Sequence, residues 1–223
     1  MYILYGGKFT RALMVQMVMA EGDIEYELRE IDIFSQQEQS PQYLAINPAG
    51  FVPAMEIPGG EVLFETHAIN LYLVDHHRLT QLAPMVDEPG RGAFLSGLFF
   101  ICDDFEPTLK RYFYPHRYVL HEADAPEMRR QSLALALDRL KIIDQRMQQK
   151  GPYYLGERYS LVDLAACYWA QDLMFDNSLD SLPALRHCLS LVRKRPAIAG
   201  LFDLMVTLHD EYAQLEATGK EPY

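Results

Sequence analysis

The chain has 223 residues, 49% hydrophobic and 23% charged, a balance that buries a core and is too apolar for a disordered chain. Its net charge is −11, with three basic side chains (Lys8, Arg11, Arg29) against eleven acids in residues 1–77, which repels phosphate backbones and excludes nucleic acid as an expected partner. No apolar run is long enough to span a bilayer, and a strand-like segment begins at Met1 with no leader ahead of it, so a cytoplasmic location without membrane contact is expected.

Tyr2 to Tyr5 reads as a short apolar strand. The Met- and Leu-rich stretch Arg11 to Ala20 reads as a mostly buried helix, with Thr10 as its N-cap and Gly22 as its end. Glu25 to Ile33 alternates polar and apolar and reads as a second strand with one irregularity. A polar Gln- and Ser-rich stretch follows, then a short helix near Pro41 to Ala45. Strands Ala54–Ile57 and Glu61–Phe64 flank Pro58-Gly59-Gly60, a hairpin signal, and a helix follows from Thr66 to Asp75. The order βαβαββα implies one parallel pair with a right-handed crossover, and a hairpin that adds antiparallel strands.

The character changes after residue 77. Residues 78–90, with Pro84, Pro89 and Gly90, read as a linker. Helical stretches are expected at 91–118, 127–149, 161–175, 183–194 and 197–213, divided by Pro126, Gly151-Pro152, Pro183 and Pro196. Residues 1–77 and 91–223 are therefore expected to form an α/β domain and an all-α helical bundle, with a loose tail from Glu216. Cys102, Cys167 and Cys188 are far apart and read as buried, reduced thiols, with neither a disulfide framework nor a zinc site. His67, His76 and His77 lack metal-ligand spacing, so no metal is expected.

Three motifs carry more than fold. The first is Asn47-Pro48-Ala49-Gly50-Phe51-Val52-Pro53-Ala54-Met55; the second is Phe64-Glu65-Thr66-His67-Ala68-Ile69-Asn70-Leu71-Tyr72-Leu73. In the third, Gly156 to Ala165, Ser160 and Asp163 form a capping-box-like pair before an apolar helix, a structural element. With the domain order, these motifs resemble the glutathione transferase family over nearly the whole chain. The resemblance implies a thioredoxin-like N-terminal domain, an all-helical C-terminal domain and a cis peptide before Pro53. Val52 would then offer its backbone N–H and C=O to a peptide-like ligand, as an edge strand does. Glu65 and Thr66 stand where a strand meets a helix N-terminus, which favours a carboxylate. Thr66 could donate to the γ-glutamyl carboxylate of glutathione and Glu65 could pair with its ammonium; Thr66 would equally serve as a plain helix cap.

A transferase must present the glutathione thiol as a thiolate, and the family places the activating group just after the first strand. The segment here is Leu4-Tyr5-Gly6-Gly7-Lys8-Phe9-Thr10-Arg11-Ala12, which holds no cysteine. Thr10 is the first candidate, from its place at the helix start. Arg11 follows for its fixed charge, and Tyr5 for its resemblance to the family's tyrosine, with core packing the alternative for Tyr5. Tyr112, Phe113, Tyr114, His116, Arg117 and Tyr118 cluster late in the first long helix. Of these, Tyr112 and His116 are candidates for a co-substrate wall, with core packing the alternative.

The resemblance implies a glutathione transferase acting on a small electrophile or a peroxide. Glutathione-dependent disulfide reduction is an alternative, as is a non-catalytic, stringent-starvation-like regulator that binds RNA polymerase. It also implies a homodimer in which Asp103 or Asp104 lends an acid to the partner's site.

Overall fold

In the computed structural model, residues 1–173 and 178–218 are described. They form two compact units: Met1–Leu79 together with the chain from Arg193 onward, and Thr80–Val192. Division by compactness thus differs from division by composition, because the last helix packs with the α/β residues.

The first unit is built on a four-stranded sheet of order β2-β1-β3-β4, with β1 Tyr2–Gly6, β2 Tyr26–Glu30, β3 Ala54–Glu56 and β4 Val62–Phe64. β1 and β2 are parallel across helix α1 (Ala12–Glu21); β1–β3 and β3–β4 are antiparallel. Helices α2 (Pro41–Leu44) and α3 (Thr66–His76) complete the βαβαββα order. This is the thioredoxin-like arrangement expected from the sequence. The pleat decides which residues meet: Leu4 pairs with Met55 and Tyr5 with Ala54, on alternate faces. Tyr5 and Ala54 share a buried cluster with Tyr43 of α2, while α1 and α3 pack together. Seven of the ten residues of α1 are buried, so it carries no polar face, as its composition implies.

Most boundaries differ from expectation by a residue, and two of the differences have a local cause or consequence. β2 stops at Glu30 rather than Ile33, because Asp32 accepts from the Phe34 amide at 2.9 Å and starts a short turn over Ile33–Ser35. Helix α1 starts at Ala12 after Arg11, and Thr10 lies outside it.

The second unit is helical: α4 (Arg91–Phe99), a π-helical segment (Phe100–Phe105), α5 (Glu106–Phe113), α6 (Ala125–Lys150), α7 (Leu161–Leu173) and α8 (Pro183–Val192). The helix expected over 91–118 ends at Phe113. Pro115 disfavours helical geometry in Tyr114, which sits at φ −124°, ψ 54°, and a 3-10 turn follows over Pro115–Tyr118. The helix expected to reach 175 runs to Leu173, and 174–177 lie outside the described residues. Helix α9 (Ala199–Ala217) extends four residues beyond 213, so the start of the expected loose tail is helical. Residues 219–223 lie outside the described residues.

The third motif is structural. The Ser160 amide and hydroxyl donate to Asp163 Oδ2 at 2.8 and 2.9 Å, and the Tyr154 amide donates to Oδ1 at 2.6 Å. Burial pushes the Asp163 carboxyl up to about 7 against the pull of those donors. Cys167 and Cys188 are buried and unlinked, as expected for inert thiols, whereas Cys102 is half-buried. Among the described residues no group of His, Cys, Asp and Glu could hold a metal, and no helix is long and apolar enough to cross a membrane.

Candidate functional site

Antiparallel register brings the two N-terminal motifs together. Ala54 pairs with Phe64, so Val52-Pro53 and Glu65-Thr66 continue from the same end of the β3–β4 hairpin. Tyr5 pairs with Ala54, so the loop after β1 leaves at that end as well. Three chain segments therefore converge at one end of the sheet.

The first segment is held from below. The Val52-Pro53 peptide is cis, as the motif predicts. The Tyr43 hydroxyl and the Asn47 amide both donate to the Phe51 carbonyl at 2.7 Å, and Asn47 Oδ1 accepts from the Ala49 amide at 3.1 Å. Burial pushes the Tyr43 phenol up, so it remains a donor. Asn47 is 1% exposed with both ends of its carboxamide engaged. Val52 precedes β3 and stands outside its ladder, so its backbone groups are not committed to the sheet.

The second segment begins α3. Glu65 is exposed and holds φ +71°, a left-handed value that a non-glycine residue adopts at a cost of about 1–3 kcal/mol. The strained turn makes Thr66 the first residue of α3, 1% exposed, and its hydroxyl has no hydrogen-bond partner in the protein. Thr66 is thus not the cap of α3, whose N-cap is Glu65 with no side-chain capping bond. The dipole end of α3 and a buried unpaired hydroxyl together suit an anionic acceptor.

The third segment is the β1–α1 loop. Gly6 and Gly7 allow a close approach: a Cβ on Gly6 would lie 2.2 Å from Ala12 Cβ, and one on Gly7 would lie 2.7 Å from the Ile31 carbonyl oxygen. Thr10, 7% exposed, closes the loop. Its hydroxyl donates to the Gly7 carbonyl at 2.7 Å and accepts from the amides of Gly7 (3.2 Å) and Ala12 (3.3 Å). Phe9, at φ +60°, packs edge-on against Phe34 at 5.4 Å and tilted against Tyr212 of α9 at 5.6 Å. Lys8 pairs with Glu211 of α9 at 3.0 Å. Sequence reasoning missed this clamp, since nothing local to residues 8–9 signals a helix two hundred residues away.

The other candidates fall in different settings. Arg11 is the half-buried N-cap of α1, with no side-chain capping bond. Tyr5 is 5% exposed in the α2-side core; its hydroxyl accepts from Arg29 at 3.0 Å and donates to Glu56 at 3.4 Å. Those contacts give Tyr5 the core role. Tyr112 is half-buried on α5 with the Arg129 guanidinium 5.9 Å from its ring centre, and His116 is exposed on the 3-10 turn beyond the helix. Asp103 and Asp104 lie on the π segment, Asp104 paired with Arg139 at 3.3 Å.

Residues 11–76 match the model of the glutathione S-transferase N-terminal domain. Over 222 residues the chain is 27% identical to the disulfide-bond oxidoreductase YfcG of Escherichia coli (strain K12), covering 93% of this chain and 97% of that one. A glutathione transferase homologue from Sulfitobacter, solved with bound glutathione, superposes with a TM-score of 0.78 at 22% identity, covering 91% and 97% of the two chains. The transferase URE2P6 of Phanerochaete chrysosporium, in complex with oxidised glutathione, gives 0.83 at 19% identity over 93% and 97%. At such identities the structural matches speak for the fold, and the sequence matches speak for descent. The matched domain, joined to the convergent cis-proline and Glu65-Thr66 segments, makes residues 11–76 a glutathione S-transferase N-terminal domain, and over nearly its full length the chain is similar to the oxidoreductase and the transferases above.

Proposed function

We propose that the protein binds glutathione at the converging end of its sheet and uses the thiolate as a nucleophile toward a small electrophile. One observation carries this reading: the buried Thr66 hydroxyl, unpaired within the protein, on the first turn of α3. A γ-glutamyl carboxylate supplies the acceptor that this hydroxyl lacks. Exposed Glu65 beside it takes the ammonium, and the Val52 backbone takes the cysteinyl peptide unit.

At the thiol end, the proton leaves to solvent and the sulfur attacks the electrophile, forming a thioether and releasing the leaving group. Thr10 stabilises the thiolate by turning its O–H from the Gly7 carbonyl to sulfur, and Arg11 adds positive charge. By family habit the protein is a cytoplasmic homodimer with no resident metal.

A second reading is thiol–disulfide exchange, favoured by the 27% identity to a disulfide-bond oxidoreductase over 93% of the chain. There the glutathione thiolate attacks a substrate disulfide, releasing one thiolate and a mixed disulfide. A second glutathione then resolves that species to oxidised glutathione and the second thiol. The test is retention on immobilised glutathione, followed by parallel assays with a chlorodinitrobenzene and with hydroxyethyl disulfide. Retention with turnover of the first supports transfer; turnover of the disulfide alone moves the reaction to exchange. No retention moves the protein to the regulator reading.

A further inference from the structure

Helix α3 turns Thr66, His67, Ile69, Asn70, Leu73 and Val74 into the core, and the apolar Ile69, Leu73 and Val74 suit their places. Asn70 does not. It is 0% exposed, and neither its Nδ2 nor its Oδ1 reaches a hydrogen-bond partner in the protein. The same fold satisfies both ends of Asn47 at nearly equal burial, so an asparagine with a purely architectural task is fully bonded here. A buried carboxamide left without protein partners is destabilising, and its presence calls for an occupant.

The neighbouring unpaired atom is the Thr66 hydroxyl, one helical turn away. Residues four apart on a helix have Cβ atoms about 5–6 Å from each other, and these two side chains make no direct bond, which leaves a water as the group that would join them. We propose that Asn70 is a positioning residue for Thr66, acting through a buried water, a role that rests on the glutathione reading above. The Asn70 Nδ2–H donates to the water, the water donates to Thr66 Oγ1, and the Thr66 O–H is thereby left to point at the ligand carboxylate. Each bond in such a chain polarises the next. Asn70 never touches the ligand; it removes the wrong orientations of the hydroxyl that does.

The test is titration calorimetry of glutathione into the full chain, in a cycle of Asn70→Leu with Thr66→Val. Asn70→Leu is expected to weaken binding about three- to tenfold while leaving the thermal midpoint equal or higher. In the Thr66→Val background the same change is expected to alter affinity less than about twofold, because the group it positions is gone. Asn70→Ser, which keeps a donor and room for the water, is expected to stay within about twofold of the parent. Asn70→Ala carries the same expectation as Asn70→Leu and stands in for it where the larger side chain fails to fold. Unchanged affinity in a folded Asn70 variant overturns the role, as does an equal loss in both Thr66 backgrounds. A parent protein that shows no glutathione binding overturns the glutathione reading itself, a distinguishable failure.

Discussion

Two threonines stand at the same end of one sheet, Thr66 as the first residue of α3 and Thr10 two residues before α1, and the fold treats them in opposite ways. The Thr10 hydroxyl makes three hydrogen bonds to its own loop, whereas the Thr66 hydroxyl, more deeply buried, makes none within the protein. A buried hydroxyl without a partner costs about 1–3 kcal/mol, so the Thr66 arrangement is a defect in the ligand-free protein and an asset once an anion arrives. The contrast separates two tasks that similar local sequence conceals. On the proposed reading, Thr66 holds the ligand's carboxylate, while Thr10 holds the loop and turns its O–H to the ligand's sulfur.

Replacing Thr66 breaks the comparison most sharply. Thr66→Val keeps the shape, so the unfolding midpoint is expected to stay equal or rise, while glutathione affinity falls about 10- to 100-fold for a lost bond to a charged acceptor. Calorimetry and thermal unfolding on one preparation check both halves. Thr10→Val reverses the pattern. It strips partners from the Gly7 amide and carbonyl and is expected to destabilise the protein by about 1–3 kcal/mol, read in denaturant titration, with lost turnover following the distorted loop.

Glu65→Gln gives a smaller effect, because the side chain is exposed. A loss of up to about fivefold in glutathione affinity is expected, shrinking as salt is raised. The smallest expected effect on glutathione binding belongs to a group away from the site, in the second unit. Asp163 ionises at about 7 when folded, against an ordinary value of 3.8. Between those values the unfolded chain binds fewer protons than the folded one, so stability falls as pH rises from about 4 to 7 and then levels off. Unfolding midpoints against pH should show this decline in the parent and not in Asp163→Asn.

Much of the fold was legible because the punctuation was strong. Pro58-Gly59-Gly60 marked the β3–β4 hairpin, and the largely apolar α1 announced a helix without a solvent face. The π segment at Phe100–Phe105 was not legible, since it depends on backbone bonding that no side-chain period encodes. Pro115, by contrast, was present to be read as the end of α5. At the site, the Val52-Pro53 and Glu65-Thr66 segments could be read because their residue types are restricted by backbone geometry and charge. The state of the Thr10 hydroxyl could not, because it depends on a turn that places the Gly7 carbonyl 2.7 Å away. The setting of Tyr5 was hidden for a related reason: its hydroxyl bonds to Arg29 and Glu56, and its ring packs in the cluster with Tyr43. Asn70 did leave a signal, a carboxamide in an otherwise apolar helical stripe one turn after Thr66.

The central claim is that the γ-glutamyl end of glutathione is what the Glu65-Thr66 turn is shaped to hold. Calorimetric titration of the unmodified protein with glutathione, and separately with cysteinylglycine, tests it without any mutation. Glutathione is expected to bind, and cysteinylglycine, which lacks the γ-glutamyl carboxylate and ammonium, to bind at least about 100-fold more weakly. Equal affinity for the two would contradict the account.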